Sequence, residues 1–220
     1  AALSADGKTA VVGWDLDTGM DLVYVTISRD GGLTWSPPTS LGASGTGNNG
    51  LQLAVSADGS RVVAGWNQDS RNYVTISDDG GASWRVGATY EVPEGGPAPD
   101  ESAVTATADG SLLISSRGAD PDRLQLAASA DGEDLLDVEA GEQIATTSGI
   151  ASTAVQGSLL TLPDPGQVVL SSPSDPTTRR GLRLWTSADA KAWQPGPVPV
   201  PGPAAYSDLV LIDDDDIAVV

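Results

Sequence analysis

Short apolar runs separated by turn residues dominate this chain, and they predict β-strands. Leu51–Ser56, Arg61–Trp66 and Tyr73–Ser77 are such runs, rich in Val, Ile, Trp and Tyr. The tripeptide Ala-Asp-Gly at 57–59 predicts a hairpin turn between the first two. Apolar and polar positions alternate imperfectly, as is typical of strands that are covered on both faces. No segment has a convincing helical period, so the pattern predicts an all-β protein.

A repeated turn sequence organises these predicted strands into units. Ser-Ala-Asp-Gly occurs at 4–7 and 56–59, each time before an apolar run that ends in Gly-Trp, and a related copy lies at 108–111. The aspartates Asp6, Asp58 and Asp109 are therefore 52 and 51 positions apart. A period near fifty residues with about four short strands per unit predicts β-propeller blades. Leu209–Val220 begins one more unit, so we expect the chain to cover about four to five blades.

A second motif follows the same period. The pattern Ser-x-Asp-x-Gly-x-Thr/Ser-Trp occurs at 28–35 and 77–84, with degenerate copies at 129–132 and 187–193. It resembles the Asp-box, or BNR, repeat. The aspartates Asp30 and Asp79 can accept hydrogen bonds from turn N–H groups, so we interpret them as hairpin locks and not as catalytic or calcium-binding groups. We expect Trp35 and Trp84 to be buried beside their turns.

Charge and composition exclude several classes of function. Lys and Arg number 11 against 30 Asp and Glu, which gives a net charge of −19 and repels nucleic-acid phosphates and anionic lipid. The chain contains neither Cys nor His, so any catalysis must use carboxylates, Tyr, Ser/Thr, Lys or Arg. We expect no cofactor. We also expect no metal, because Cys and His ligands are absent and the acidic run Asp213–Asp216 lacks the alternating spacing of a calcium loop. We expect no nucleic-acid partner and no membrane insertion.

Several segments resemble the bacterial exo-α-sialidases, in that family's order. Asp100–Val104 followed by the 108–113 hairpin and Arg117 resembles the catalytic Glu segment, with the family's 16-residue Glu–Arg spacing but Ser102 where proline is usual. Gln156–Leu159 resembles the family's next inner strand. Ser171–Pro173 with Arg179–Leu182 resembles the segment that carries the second substrate arginine, and Tyr206–Leu209 resembles the segment that carries the nucleophilic tyrosine. The resemblance implies a six-bladed propeller fold. It also implies that residues 1–220 are one propeller domain clipped at both ends, since a third arginine and a further glutamate would fall outside it.

The resemblance also implies a role for each candidate residue. Tyr206 would be the nucleophile and Glu101 its base in a retaining reaction on terminal sialic acids. Arg117 and Arg179 would bind the substrate carboxylate, because a guanidinium forms a bidentate pair with that group. Arg180 is the alternative if its neighbour faces away.

The general acid and the activity itself stay open at the level of sequence. Asp21 best matches the family's loop aspartate, whereas Asp15 and Asp17 fit turn or solvent-facing positions. The alternative function is a non-catalytic Asp-box propeller that binds glycans or proteins. Sialylated glycans would be the substrate of the enzyme or the ligand of the non-catalytic propeller. We expect a secreted or cell-surface location.

Overall fold

The structure is a computed structural model that describes residues 1–16, 22–42, 49–68, 71–90, 101–107, 111–117, 123–128, 150, 155–163, 166–190, 192–212 and 216–220. Within these ranges the regular elements are all β-strands. In chain order they are β1 (Ala2–Leu3), β2 (Ala10–Leu16), β3 (Leu22–Ser28), β4 (Thr39–Ser40), β5 (Asn49–Val55), β6 (Val62–Gln68), β7 (Arg71–Ser77), β8 (Arg85–Tyr90), β9 (Ser102–Ala106), β10 (Leu112–Arg117), β11 (Arg123–Ala128), β12 (Ser158–Thr161), β13 (Val168–Pro173), β14 (Arg180–Ser187), β15 (Gln194–Pro195), β16 (Val200–Pro203), β17 (Leu209–Leu211) and β18 (Ile217–Val219). No helix in the described ranges is long and apolar enough to cross a bilayer.

The strands form five antiparallel sheets that follow one another along the chain. The first sheet contains β1 to β4, the second β5 to β8, and the third β9 to β11, each with neighbours in chain order. The fourth contains β12 to β15 with β16 also paired to β14, and the fifth contains β17 and β18. The first strands of successive sheets, which we call the inner strands (β1, β5, β9, β12 and β17), contact one another in order. This arrangement is that of β-propeller blades, so the fold prediction is confirmed.

The hairpin turn between β5 and β6 shows what the Asp-Gly pair contributes to the fold. Ser56 Oγ donates to Asp58 Oδ1 at 2.6 Å, and this hydrogen bond is the main reason that the pKa of Asp58 falls to about 2. Gly59 has a φ of +72°, a conformation that glycine adopts without strain. A Cβ at this position would overlap the side chain of Thr9 in the first sheet, so glycine also permits neighbouring turns to pack closely.

The Asp boxes lie between the third and fourth strands of their sheets. The Thr34 N–H and hydroxyl donate to the two carboxylate oxygens of Asp30 at 2.9 and 2.6 Å. Asp79 accepts the equivalent pair of bonds from Ser83 at 2.8 and 2.6 Å. These bonds stay within each turn, in agreement with the interpretation of both aspartates as hairpin locks. They also lower the pKa of Asp30 to about 2, with the Thr34 hydroxyl as the largest cause.

The core consists of layers between successive sheets. Along β6, Val62, Ala64 and Trp66 pack toward the first sheet, whereas Val63 packs toward the third. In β10, Leu113 joins the layer shared with the fourth sheet, while its neighbours in sequence face the second. Both faces of the middle sheets are therefore apolar, which explains the imperfect alternation in their sequences.

The Asp-box tryptophans depart in part from the prediction that they are buried. Trp193, in the degenerate box of the fourth sheet, is 4% exposed and packs in the layer shared with the third sheet. Trp84 is half-buried against the layer shared with the first sheet. Trp35 is 43% exposed, so its predicted burial is wrong. Trp84 and Trp193 each pack on the sheet before their own, whereas Trp35 Nε1 donates to Gly32 O at 3.1 Å within its own turn.

This difference in packing predicts different stability losses. Trp193→Ala should lower the free energy of unfolding by roughly 3–5 kcal/mol, because it empties a buried site between two sheets. Trp35→Ala serves as the matched control and should cost less than about 1 kcal/mol. Denaturant unfolding of both variants measures the two losses. Equal losses of unfolding free energy in the two variants would show that packing on the preceding sheet does not determine how much each tryptophan stabilises the fold.

The Asp-box pKa predicts how stability depends on pH. Because the folded-state pKa of Asp30 is about 2, below the ordinary value of 3.8, its ionised form stabilises the fold at every pH above about 3.8. That contribution should disappear as the pH falls from about 3.8 through about 2. The difference in denaturant midpoint between wild type and Asp30→Asn should therefore be constant near neutral pH and shrink below pH 3.8. If the difference in denaturant midpoint grew as the pH fell, it would contradict a lowered pKa for Asp30.

Candidate active site

The candidate residues meet where the inner strands begin. Glu101 immediately precedes β9, and Tyr206 lies in the segment that leads into β17. The two side chains are 105 positions apart in sequence, yet the Tyr206 hydroxyl donates to Glu101 Oε1 at 2.9 Å. This contact is possible because β9, β12 and β17 contact one another in succession, so that their starting residues lie at one end of the assembly.

Arg117 reaches the same point from the second strand of the third sheet. β10 runs antiparallel to β9, and the Arg117 N–H donates to Glu101 O at 2.8 Å. The 16-residue spacing in sequence is therefore one hairpin that places the two side chains beside each other. Arg117 Nη1 donates to Glu101 Oε2 at 2.9 Å and to the Tyr206 hydroxyl at 3.4 Å. The side chains of Arg117 and Glu101 are 27% and 21% exposed, so the ion pair is partly shielded from water.

Arg179 adds a second guanidinium from the fourth sheet. Its Cζ lies 5.9 Å from the centre of the Tyr206 ring, within the range of a cation–π contact. The Ala204 N–H donates to Arg179 O at 2.9 Å, which ties the arginine to the segment that carries the tyrosine. Arg179 and Arg180 are both exposed, but the backbone of Arg180 pairs with Pro203 in the sheet, and the cation–π contact with Tyr206 is made by Arg179. Arg179 is thus the arginine of the pair that contacts the phenol.

Partly buried polar contacts hold the Tyr206 segment on the fourth sheet. The hydroxyls of Ser207 and Ser171 are 2.8 Å apart, and Ser158 Oγ donates to Asp208 Oδ1 at 2.9 Å. Ser158 and Ser171 are themselves paired across β12 and β13. The tyrosine is therefore presented from a loop whose next two residues are anchored, although its own ring is 53% exposed.

The electrostatics of this cluster favour a protonated phenol. The hydrogen bond to the Glu101 carboxylate is the largest cause that raises the pKa of Tyr206 above its ordinary value of 10.0, and desolvation and the charge of Glu101 act in the same direction. Arg117 and Arg179 oppose that shift through their positive charges. The phenol therefore keeps its proton at neutral pH, while the carboxylate beside it is placed to receive that proton.

The predicted general acid, Asp21, and its alternative Asp17 lie outside the described residues. Asp15 is exposed near the end of β2, opposite Val23 in the sheet. Among the described residues, no group of three or more acidic, His or Cys side chains could hold a metal ion.

Sequence reasoning assigned no role to two residues that contact the Glu101 segment. Gly50, at the start of β5, has a φ of +66°, and a Cβ there would lie 3.0 Å from both Glu101 Cα and Ser102 N. Gln156 Nε2 donates to Ser102 O at 3.0 Å from the start of the fourth sheet. The run Asn48-Asn49-Gly50 signals a turn in the sequence, but nothing local indicates which strand it approaches.

Solved structures with this architecture include several glycoside hydrolases. A Hadza microbial sialidase, Hz136, superposes with a TM-score of 0.71 over 99% of this chain and 48% of its own, at 16% identity. The NanB sialidase from Streptococcus pneumoniae gives 0.66 over 90% of this chain and 32% of its own, at 19% identity. A GH93 α-L-arabinofuranosidase of Fusarium graminearum gives 0.66 over 96% of this chain and 66% of its own, at 18% identity. The chain thus spans about half or less of these two sialidases.

At these identities the likeness concerns the fold, and it is shared by enzymes that act on different sugars. The sequence itself gives a more specific match. The model of the BNR repeat-like domain matches residues 8–219, nearly the whole chain. This protein therefore belongs to the BNR repeat-like domain family.

Proposed function

We propose that this protein is a retaining exo-α-sialidase-like glycoside hydrolase that releases terminal sialic acids from glycoconjugates. The observation that carries the proposal is the Tyr206 hydroxyl on the Glu101 carboxylate at 2.9 Å, with two guanidinium groups beside it. The similar folds of sialidases and of an arabinofuranosidase support a glycoside hydrolase in general. The choice of a sialoside rests on the chemistry of this cluster.

A tyrosine–glutamate pair suits a sugar whose anomeric carbon carries a carboxylate. A carboxylate nucleophile would approach that negative charge with electrostatic repulsion. A neutral phenol avoids the repulsion, and sialidases differ in this way from glycosidases that use two carboxylates. The raised pKa of Tyr206 keeps the phenol neutral during the approach of the substrate.

The proposed reaction has two steps. In the first, the bond from the anomeric carbon to the leaving oxygen breaks as a bond from Tyr206 Oη forms. The phenol proton passes to Glu101, and a general acid, predicted to be Asp21, protonates the leaving oxygen. In the second, water attacks the anomeric carbon and gives its proton to the general acid. The bond to Tyr206 breaks, and Glu101 returns the proton to the phenolate, so the anomeric configuration is retained.

The two arginines supply the attraction for an anionic sugar. On a chain with a net charge of −19, Arg117 and Arg179 form a local positive site around the phenol. Arg117 already donates to Glu101, so an arriving carboxylate has a donor that is oriented and partly desolvated. Such a site favours anionic over neutral sugars.

Steady-state hydrolysis of a chromogenic α-sialoside tests the proposal. Glu101→Gln should lower kcat by about 10²- to 10⁴-fold with little change in KM, because the base acts in the transition state. Arg117→Ala should also raise KM, because it removes a donor to the bound carboxylate. Arg180→Ala is the matched control, an exposed neighbouring arginine whose loss should leave both constants near wild type.

Two results would overturn the proposal. Turnover of an α-L-arabinofuranoside but not of the sialoside would show a hydrolase for neutral sugars. Binding of sialylated glycans by the folded protein with no turnover of either substrate would identify the non-catalytic alternative.

The mechanism also predicts the titration of Tyr206. Its phenolate should form at a higher pH than that of an ordinary tyrosine, because the Glu101 carboxylate accepts the phenol proton in a hydrogen bond and repels the phenolate. Glu101→Gln should lower this pKa by removing that charge. The absorbance difference between each protein and its Tyr206→Phe counterpart isolates this phenol from the other tyrosines. An unchanged pKa in Glu101→Gln would contradict the pairing.

A further inference from the structure

A buried ring of three polar side chains lies directly behind the candidate site. Asn72 Nδ2 donates to Ser116 Oγ at 2.9 Å, and Ser102 Oγ donates to Asn72 Oδ1 at 3.2 Å. The hydroxyls of Ser102 and Ser116 are 2.8 Å apart, which closes the ring. Asn72 belongs to β7 of the second sheet, whereas the serines face each other across β9 and β10 of the third.

The ring is removed from solvent and is adjacent in sequence to two site residues. Asn72 is 1% exposed, and the two serines are 3% and 0% exposed. Ser102 follows Glu101 and Ser116 precedes Arg117 in the chain. A single amide from the neighbouring sheet thus contacts the residue next to each member of the ion pair.

The hydrogen-bond directions in the ring are mutually consistent. If Ser102 gives its proton to Asn72 Oδ1, the Ser116 hydroxyl donates to Ser102, and Ser116 accepts from the Asn72 amide. All three bonds then run in one direction around the ring, an arrangement in which each bond polarises the next. Asn67 Nδ2 lies 3.4 Å from Asn72 Oδ1 and donates to Arg71 O at 3.1 Å, which gives the amide further support within its own sheet.

The Ser102 hydroxyl is what makes this ring possible, because it bonds to both Asn72 and Ser116. Proline has no hydroxyl and no N–H, so it could neither donate to Asn72 nor bond to Ser116. Ser102 O is also engaged, because it accepts from Gln156 Nε2 at 3.0 Å. The segment that carries Glu101 is therefore held by hydrogen bonds from the sheets on both sides.

We propose that Asn72 is a positioning residue, which fixes the Glu101 carboxylate and the Arg117 guanidinium relative to Tyr206 through its bonds to Ser102 and Ser116. The inference rests on the proposed function, because it assigns Asn72 to the geometry of that reaction. Its physical basis is the cost of misplacement. A displacement of about 1 Å can lower a rate by about 10²-fold, and buried hydroxyls that lose a partner shift in order to find another.

The experiment compares Asn72→Ala and Ser102→Ala with a matched control on the same strand. Thr75 of β7 is 1% exposed, and within the described part of the chain its Oγ1 has no hydrogen-bond partner, so Thr75→Val tests the effect of a buried substitution alone. Each variant is measured by kcat and KM on the α-sialoside, by the pKa of Tyr206 and by thermal melting. Kinetics are recorded well below the lowest melting temperature.

We expect Asn72→Ala to lower kcat by about 10- to 100-fold and to shift the Tyr206 pKa downward. Ser102→Ala should act in the same direction, and the double variant should be no worse than Asn72→Ala, because either change opens the ring. Thr75→Val should leave both quantities unchanged. Ser102→Ala also serves as the milder test if Asn72→Ala does not fold.

Other outcomes separate this inference from the proposed function. A lower melting temperature with unchanged kcat and unchanged Tyr206 pKa would overturn it, because Asn72 would then be structural only. If the wild type hydrolyses no sialoside, the proposed function fails. In that case the Tyr206 pKa alone tests the inference: a lower pKa in Asn72→Ala than in wild type supports the positioning role, and an unchanged pKa overturns it.

Discussion

Burial of apolar side chains between successive sheets is the interaction on which the rest of this structure depends. Each middle sheet is apolar on both faces, so neither face can be left in water and the sheets must stack in chain order. Two Asp-box tryptophans, the half-buried Trp84 and the buried Trp193, extend this contact from one sheet to the sheet before it. Hydrogen bonds within the Asp boxes shape the turns, but the packing between sheets orients one blade against the next.

That stacking creates the candidate site, because no single sheet contains it. Glu101 and Arg117 come from one hairpin of the third sheet, whereas Tyr206 and Arg179 come from segments attached to the fourth and fifth. A change in the angle between sheets would separate the 2.9 Å contact between Tyr206 and Glu101 long before it unfolded either segment. The polar ring around Asn72 lies at this junction, where buried hydrogen bonds add directional restraint that apolar packing cannot provide.

The site also reverses the charge of its surroundings. The chain is strongly acidic, yet two guanidiniums and one carboxylate surround a phenol that keeps its proton. In the partly shielded ion pair, Arg117 Nη1 donates to Glu101 Oε2, so the arginine holds the carboxylate beside the phenol. Within the described residues, this cluster therefore brings two positive charges together on a chain whose net charge is strongly negative.

Local sequence was sufficient for what depends on local physics. The blades were predicted from the Asp-Gly turns, the apolar strand runs and the period near fifty residues. These features are visible in sequence because tight turns need particular residues and strands buried on two faces need apolar ones. The pairing of Glu101 with Arg117 was implied by the resemblance to the sialidases, and in the structure it corresponds to one antiparallel hairpin. The exposure of Trp35 was not, because its burial depends on a neighbouring sheet and not on its own turn. Only the tertiary structure showed that Arg179, and not Arg180, lies beside the phenol. It alone also showed that Asn72 bonds to two serines, since the packing of separate sheets decides which distant side chains meet.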